Sequence, residues 1–525
     1  MTDTQCVSSP YAVITTPQSD ATEAGHAILR EGGTAIDAMI AAAAVLCVTT
    51  PHMVGLGGDA LWMLQDSGQV STISGIGQAG RRLPASGQIQ RRGEDAIATT
   101  AAALASWETA WQISQQRWHS RLPWSRLLEP AIDKARHGFR VTDSQLFWQS
   151  QRGPLNTIYP DLNAFWCRAD GGELQAGDSL TLPALANSLE SISKHGAMSF
   201  YQGELGHALA EGFKQRDLCL DQHDLAATRA PELEPVSIRY RQGRLYNVAP
   251  PCQGVVTLQT MAYLNRFPLG KSETDLARYY HLMVESIKLA LQRRNRELCD
   301  PVYEPFDIDD WLHLSKQEIQ AINLTQAAPW IDEANPADTA WMAAIDQDGR
   351  GAAIIQSLYF DWGSACTIGD TGILWQNRAA GFSSLSSHPN TWSPGKRPAH
   401  TLNPSLYKYD DGDWMLFGSQ GGDGQPQTQT VLATQLIDYE QSLEEALHAP
   451  RFLLGRSFFD STDNLKLEAH IDPVVLDKLR HFGHELEIIP RLSPLAGLAG
   501  IAKYTKDGTR SAMHDPRGQS LTLGV

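Results

Sequence analysis

Two short stretches carry the residue types needed for acyl transfer. The first is Asp338-Thr339, where a strand begins after Asn335-Pro-Ala337. A threonine that opens a strand is commonly structural, but its surroundings add chemistry. The strand running to Ile345, the turn Asp346-Gln-Asp-Gly349 and the strand Ala352 to Leu358 predict a hairpin centred near Asp348. That register sets Ser357 opposite Thr339. Two hydroxyls then face each other at one sheet edge, one a potential nucleophile and the other its hydrogen-bond partner. The second stretch is Gly418-Ser-Gln-Gly-Gly-Asp-Gly424, between a strand and a helix. Consecutive glycines let backbone N–H groups converge on one point, and a helix start favours negative charge there. An oxyanion hole needs both properties; the plainer reading is a flexible turn.

Other motifs fail on context. Gly270-Lys-Ser272 lacks the earlier glycine of a phosphate-binding loop, because Asn265 stands there, so it reads as a helix cap. Gly55-Leu-Gly-Gly58 follows a helix rather than a strand, against a dinucleotide turn. No HExxH and no GxSxG occurs, and no Asp/His spacing suggests a metal. Neither a metal nor a cofactor is expected.

The elements that must position these groups alternate between helix and strand. Ser19 and Asp20 open a helix through Arg30, and Thr34 caps a second, alanine-rich and buried, through about Val48. Strands follow at Leu61–Leu64 and Val70–Ile73. Helices are predicted over 97–120, 124–138, 182–194 and 204–215. Val236–Tyr240 and Arg244–Val248 form a hairpin, and a long helix spans about Ser272 to Cys299. After Pro336 strands dominate, with helices near 425–447 and 472–482. Helices bracketing antiparallel strands imply an α+β layered fold.

Composition narrows the class. The 525 residues are 42% hydrophobic and 19% charged, which excludes a disordered chain. The net charge of −16 argues against nucleic acid. The basic doublets Arg91-Arg92 and Arg293-Arg294 read as solvated faces. Seven scattered cysteines, none spaced CxxC, fit a reducing compartment. Met1 to Gln18 has no signal-peptide pattern, and the apolar run Ala38–Val48 is too short to span a bilayer. A cytoplasmic protein without membrane contact is expected.

Taken together, the chain resembles the γ-glutamyltranspeptidase family of N-terminal-nucleophile (Ntn) hydrolases along nearly its whole length. The resemblance rests on Gly32-Gly-Thr-Ala-Ile-Asp-Ala38, the loop Pro51 to Asp59, Thr339 to Gly349, Gly369-Asp-Thr-Gly-Ile-Leu374, Lys396-Arg-Pro398 and Asn403-Pro404. Gly421-Gly422, Ala449-Pro-Arg451 and Asp515-Pro-Arg517 follow in the family's order.

The resemblance implies a four-layer αββα sandwich made jointly by two self-cleaved fragments, 1–338 and 339–525. The bond between Asp338 and Thr339 would be cut by the Thr339 hydroxyl. The freed α-amino group would then serve as base. Gly421 and Gly422 would hold the oxyanion, and Ser357 stands where the family has a supporting threonine. A dimer of the two-fragment unit would be in keeping with the family.

Departures bear on the substrate. The segment that holds a glutamyl ammonium in transpeptidases is Asn377-Arg-Ala-Ala-Gly-Phe382 here, with no carboxylate and an added Arg378. Tyr359 replaces an asparagine, and His400-Thr401 replace paired serines. Arg81 and Arg82 are candidates for the carboxylate-gripping arginine. The expected substrate is a small anionic amide such as oxamate. The alternatives are a glutathione or γ-glutamyl hydrolase, and an uncleaved inactive scaffold.

Overall fold

A computed structural model describes residues 5–270, 272–330, 337–457 and 461–525; Asn335 and Pro336 lie outside them. Two seven-stranded antiparallel sheets stack face to face. One runs, in spatial order, Leu521–Gly524, Val13–Thr16, Asp338–Ile345, Gly351–Tyr359, Asp59–Asp66, Gln69–Gly75, Glu232–Leu233. The other runs Val7–Ser9, Arg510–His514, Ala499–Tyr504, Trp414–Ser419, Ser405–Tyr409, Gly243–Asn247, Val236–Tyr240.

Strand alternation builds the layers. Trp341, Ala343 and Ile345 point between the sheets, against Leu406, Trp414, Leu416 and Ala502. Ala340, Met342 and Ala344 point the other way, into helices Ser19–Arg30, Ala35–Thr49 and Ala103–Gln116. Outside the second sheet, Tyr407, Met415, Phe417 and Ile501 meet helices Gly254–Leu264, Glu273–Glu297 and Gln425–Ile437. This is the αββα sandwich, and both faces of each sheet are buried. The helix Ala35–Thr49 has no exposed residue, as its run of alanines implies.

Trp341 locks the sheets together. A Cβ on Gly418 or Gly500 would come within 2.2 Å of its ring, so both strands need glycine there. This packing places the start of the strand Asp338–Ile345 beside the end of the strand Trp414–Ser419. Thr339 and the glycine loop therefore share one end of the sandwich.

Several boundaries differ from expectation. Gln18, not Ser19 or Asp20, caps the first helix, accepting from Ala21 N at 3.0 Å. The helix expected over 97–120 is only Ala103–Gln116. Residues 98–100 are extended instead, bonded to Gln78 and Gly80, and tertiary pairing overrides their helical pattern. The helix near 425–447 is two, Gln425–Ile437 and Leu443–His448, parted where Glu440 takes φ +54. Ser272 does cap its helix, with Asp275 completing the capping box. The helix Gly254–Leu264 and the strands at both chain ends carry no signal that the sequence reading used.

Candidate active site

The hairpin forms, with a bulge at the residue that matters. Ala340 pairs with Gln356, but Asp338 pairs with Tyr359, so Thr339 lies across from two residues. The bulge changes the expected partnership of hydroxyls. Ser357 Oγ does not meet the Thr339 hydroxyl; it donates to the Asp338 carbonyl oxygen at 2.6 Å. It also accepts from Tyr359 N at 2.7 Å, which turns its proton toward that carbonyl. Thr339 Oγ1 donates to the same oxygen at 2.6 Å. A hydroxyl lies against the preceding carbonyl, and a second hydroxyl is placed to stabilise negative charge on its oxygen.

Asp338 itself is sealed in. Its Oδ1 accepts from Thr339 N at 2.9 Å, and its Oδ2 is buried without a hydrogen-bond partner among the described residues. Burial, reinforced by Asp361, holds this carboxyl well above the usual carboxylate range. A carboxyl that keeps its proton when folded and sheds it on unfolding weakens the fold as pH rises. The weakening starts near the unfolded value of about 4 and is complete at the raised one. A Thr339→Ala chain should therefore lose melting temperature as pH rises above about 4, relative to Thr339→Ala/Asp338→Asn. Parallel melting curves would show that Asp338 ionises freely.

Asp361 lies between two arginines. Arg152 grips it with both Nε and Nη2, at 2.7 and 2.6 Å, and Arg92 Nη2 reaches it at 3.2 Å. Burial alone would raise this carboxyl, and the two guanidiniums outweigh it, so it titrates below its ordinary value. Arg92 is thus no solvated residue. Nor are Arg293, bonded to Glu297 and Asp310, and Arg294, bonded to Asp423 in the glycine loop. Their side chains are only 11–13% exposed.

Arg378 is brought to this site. It is completely buried, and its guanidinium lies 3.8 Å from the centre of the Tyr359 ring. Nη1 donates to Thr401 Oγ1 at 3.1 Å, whereas Nε and Nη2 have no partner among the described residues. Burial lowers its pKa, outweighing the opposing pull of Tyr359 and Asp59. Tyr359 holds this platform at φ +81, and its other neighbour is the stacked ring of Phe360, 4.1 Å away. An aromatic residue at such a φ is strained, a feature that gathers at functional sites.

Other expected ligands are engaged with groups of the protein itself. His400 Nε2 meets Asp59 at 3.1 Å and Nδ1 accepts from Leu402 N, so neither nitrogen remains for a substrate. Burial, then the Arg378 charge, lowers His400 to about 4, which keeps it neutral. Arg81 is 55% exposed and paired with Asp221 at 2.5 Å. Arg82 is exposed, with Nη2 on the Leu218 carbonyl. Both arginines are thus engaged with Asp221, Asp224 and the Leu218 carbonyl.

Gln253 is a site residue that sequence reasoning missed. Its Nε2 donates to the carbonyls of Gly422 at 2.7 Å and Thr401 at 2.8 Å. It thereby ties the glycine loop to the residue that touches Arg378. Gly421 and Gly422 take φ +114 and +55, values that glycine adopts freely.

Far from Thr339, His281, Glu285 and His484 converge although no spacing in the sequence announced it. The two imidazoles bond each other at 2.8 Å, and Lys288 bonds Glu285 at 2.8 Å. The lysine already supplies the cluster's positive charge, so it does not fit a metal ion.

The sequence pattern of the family described as Gamma-glutamyltranspeptidase matches residues 21–525. The chain belongs to the γ-glutamyltranspeptidase family. It is 37% identical to an oxamate amidohydrolase proenzyme of Klebsiella pneumoniae, over 98% of this chain and 99% of that one. It is 33% identical to a glutathione hydrolase-like proenzyme of Bacillus subtilis, over 98% of each. Among solved structures, a cephalosporin acylase from Bacillus halodurans superposes with a TM-score of 0.86 at 26% identity, covering 100% and 97%. Like its γ-glutamyltranspeptidase relatives, this chain is an autoprocessed amide hydrolase made as a precursor of two subunits. Among the described residues, no helix is long and apolar enough to cross a membrane.

Proposed function

We propose that the mature enzyme hydrolyses a small anionic amide, with oxamate the preferred substrate. One observation carries the reading: a fully buried guanidinium, two of whose nitrogens have no partner among the described residues, lies over the ring of the tyrosine that pairs with Asp338. An unpaired buried charge is expensive, and an incoming carboxylate would relieve it. Oxamate bears its carboxylate directly on the carbonyl to be attacked, so its cation must lie close to Thr339. The segment around Arg378 has no acid for a glutamyl ammonium, which weighs against γ-glutamyl substrates.

In this reading the chain is cut between Asp338 and Thr339. The new Thr339 α-amino group, with an unperturbed pKa of about 8, takes the hydroxyl proton. The hydroxyl oxygen attacks the amide carbonyl, the Gly421 and Gly422 N–H groups hold the oxyanion, and the α-ammonium passes its proton to the departing nitrogen, which leaves as ammonia. Water then frees the diacid. Arg378, set by Tyr359 and Thr401, holds the substrate carboxylate. The seven unbonded cysteines support a cytoplasmic setting.

Ammonia release from oxamate, glutamine, glutathione and acetamide by the cleaved protein tests the substrate. Oxamate should lead by kcat/KM. Release from a γ-glutamyl anilide that rises when a dipeptide acceptor is added would overturn the reading. Ser357→Ala should slow self-cleavage about 10²–10³-fold, the usual loss for one oxyanion donor. Ser357→Thr should restore it. Maturation of Ser357→Ala at the parent rate, read on a denaturing gel, would remove that role.

A further inference from the structure

We propose that the Asp338 side chain is the proton carrier for the cleavage of its own peptide bond. The inference rests on the cleavage-site reading above. Three observations support it. One carboxyl oxygen lies 2.9 Å from the Thr339 nitrogen, the atom that must gain a proton to leave. The other is buried and has no partner among the described residues, as a carboxylate would not be. The carbonyl oxygen between them already has two hydroxyl donors, so the side chain is not needed there.

The charged groups facing Asp338 come from two elements. Asp361, in the loop after the strand Gly351–Tyr359, favours the neutral form; Arg152, at the end of the helix Asp143–Arg152, opposes it. Arg152 is held on Asp361 through two hydrogen bonds, which blunts its pull on Asp338. Burial is the larger influence, and the proton stays on Asp338.

The step balances without a co-reactant. Thr339 Oγ bonds to the Asp338 carbonyl carbon. As the C–N bond breaks, the carboxyl gives its proton to the departing nitrogen, which becomes an amine. The proton shed by Oγ returns to the carboxyl. Water then opens the ester, leaving the Asp338 α-carboxyl group and restoring the Thr339 hydroxyl. The donor departs with the large fragment, so the device works once and leaves the mature enzyme to the Thr339 amine.

The test follows full-length chain made by pulse-labelled cell-free translation and moved into buffers from about pH 6 to pH 9. Cleavage is read on denaturing gels, and the small fragment is sequenced from its N-terminus. The parent chain should mature more slowly as pH rises. Asp338→Asn, which keeps an acceptor for the Thr339 N–H but carries no acid proton, should mature about 10²-fold more slowly, with a flat profile. Asp338→Glu should keep the falling profile. A small fragment that does not begin at Thr339 would sink the cleavage-site reading and this inference with it. A fragment that begins there, made by Asp338→Asn at the parent rate and with the parent profile, would sink the inference alone. Melting curves of Thr339→Ala and Thr339→Ala/Asp338→Asn at low pH check that the substitution folds. Should it not fold, the Asp338→Glu profile decides: a pH-independent rate would overturn the role.

Discussion

Replacing Thr339 with alanine should leave a single uncut chain of 525 residues on a denaturing gel and no measurable ammonia release. The expected loss is about 10⁴–10⁶-fold, the range found when a nucleophile is removed from a hydrolase. Two causes act together. The variant lacks the attacking oxygen, and it also lacks the cut that would expose the site. In the precursor both Thr339 and Arg378 have no accessible surface, so substrate cannot reach either. Thr339→Ser keeps a hydroxyl and should still mature. A Thr339→Ala chain that appears as two bands, cut at the same bond, would overturn the nucleophile assignment.

Replacing Arg378 with methionine should move stability and activity in opposite directions. The side chain fills a similar volume without a charge. Removing an unpaired buried guanidinium should raise the melting point, with a gain of about 1–3 kcal/mol. The carboxylate of oxamate would lose a charge-assisted partner worth about 2–5 kcal/mol, so kcat/KM should fall about 30-fold to several thousandfold. Neutral acetamide should be hydrolysed no worse than before. Arg378→Lys should not rescue oxamate, because one ammonium cannot lie flat on Tyr359 and still present a two-pronged donor. If oxamate and acetamide fall together, Arg378 is a structural residue and the anion-pocket reading fails.

Thr339 stands out as a candidate nucleophile because it belongs to a short hairpin. The turn at Asp346–Gly349 fixes the centre, and counting outward brings residues 339 and 357 together. Counting missed only the bulge, which depends on how the strand end packs and not on the pattern within it. The layers were legible too, since alternation along strands and full burial of the alanine-rich helix are written in the residues. Arg378 could be picked out only through a resemblance, as a basic residue where acids are expected. Arg92 could not be placed at all, because its partner Asp361 is 269 positions away. In a charge count such a pair cancels, and a doublet of arginines looks like surface. His400 went wrong for the same reason: its partner Asp59 is 341 positions distant, and an imidazole held at both nitrogens is a strut. The pattern over 97–120 is helical throughout, yet its first residues serve as a rung for Gln78 and Gly80.

The strand that begins at Asp338 lies between Val13–Thr16 and Gly351–Tyr359, and the other sheet sets Gly243–Asn247 against Ser405–Tyr409. Each sheet is thus woven from chain on both sides of residue 338. Neither half could close its sheets alone, so the two halves must be born together. A shared covalent backbone brings them into one volume at high effective concentration and fixes their ratio at one to one. Once the weave is complete, the bond between them holds nothing that the sheets do not already hold. Scission there would therefore change reactivity while leaving assembly intact, and mixing two separately made halves should be a poor way to build the enzyme.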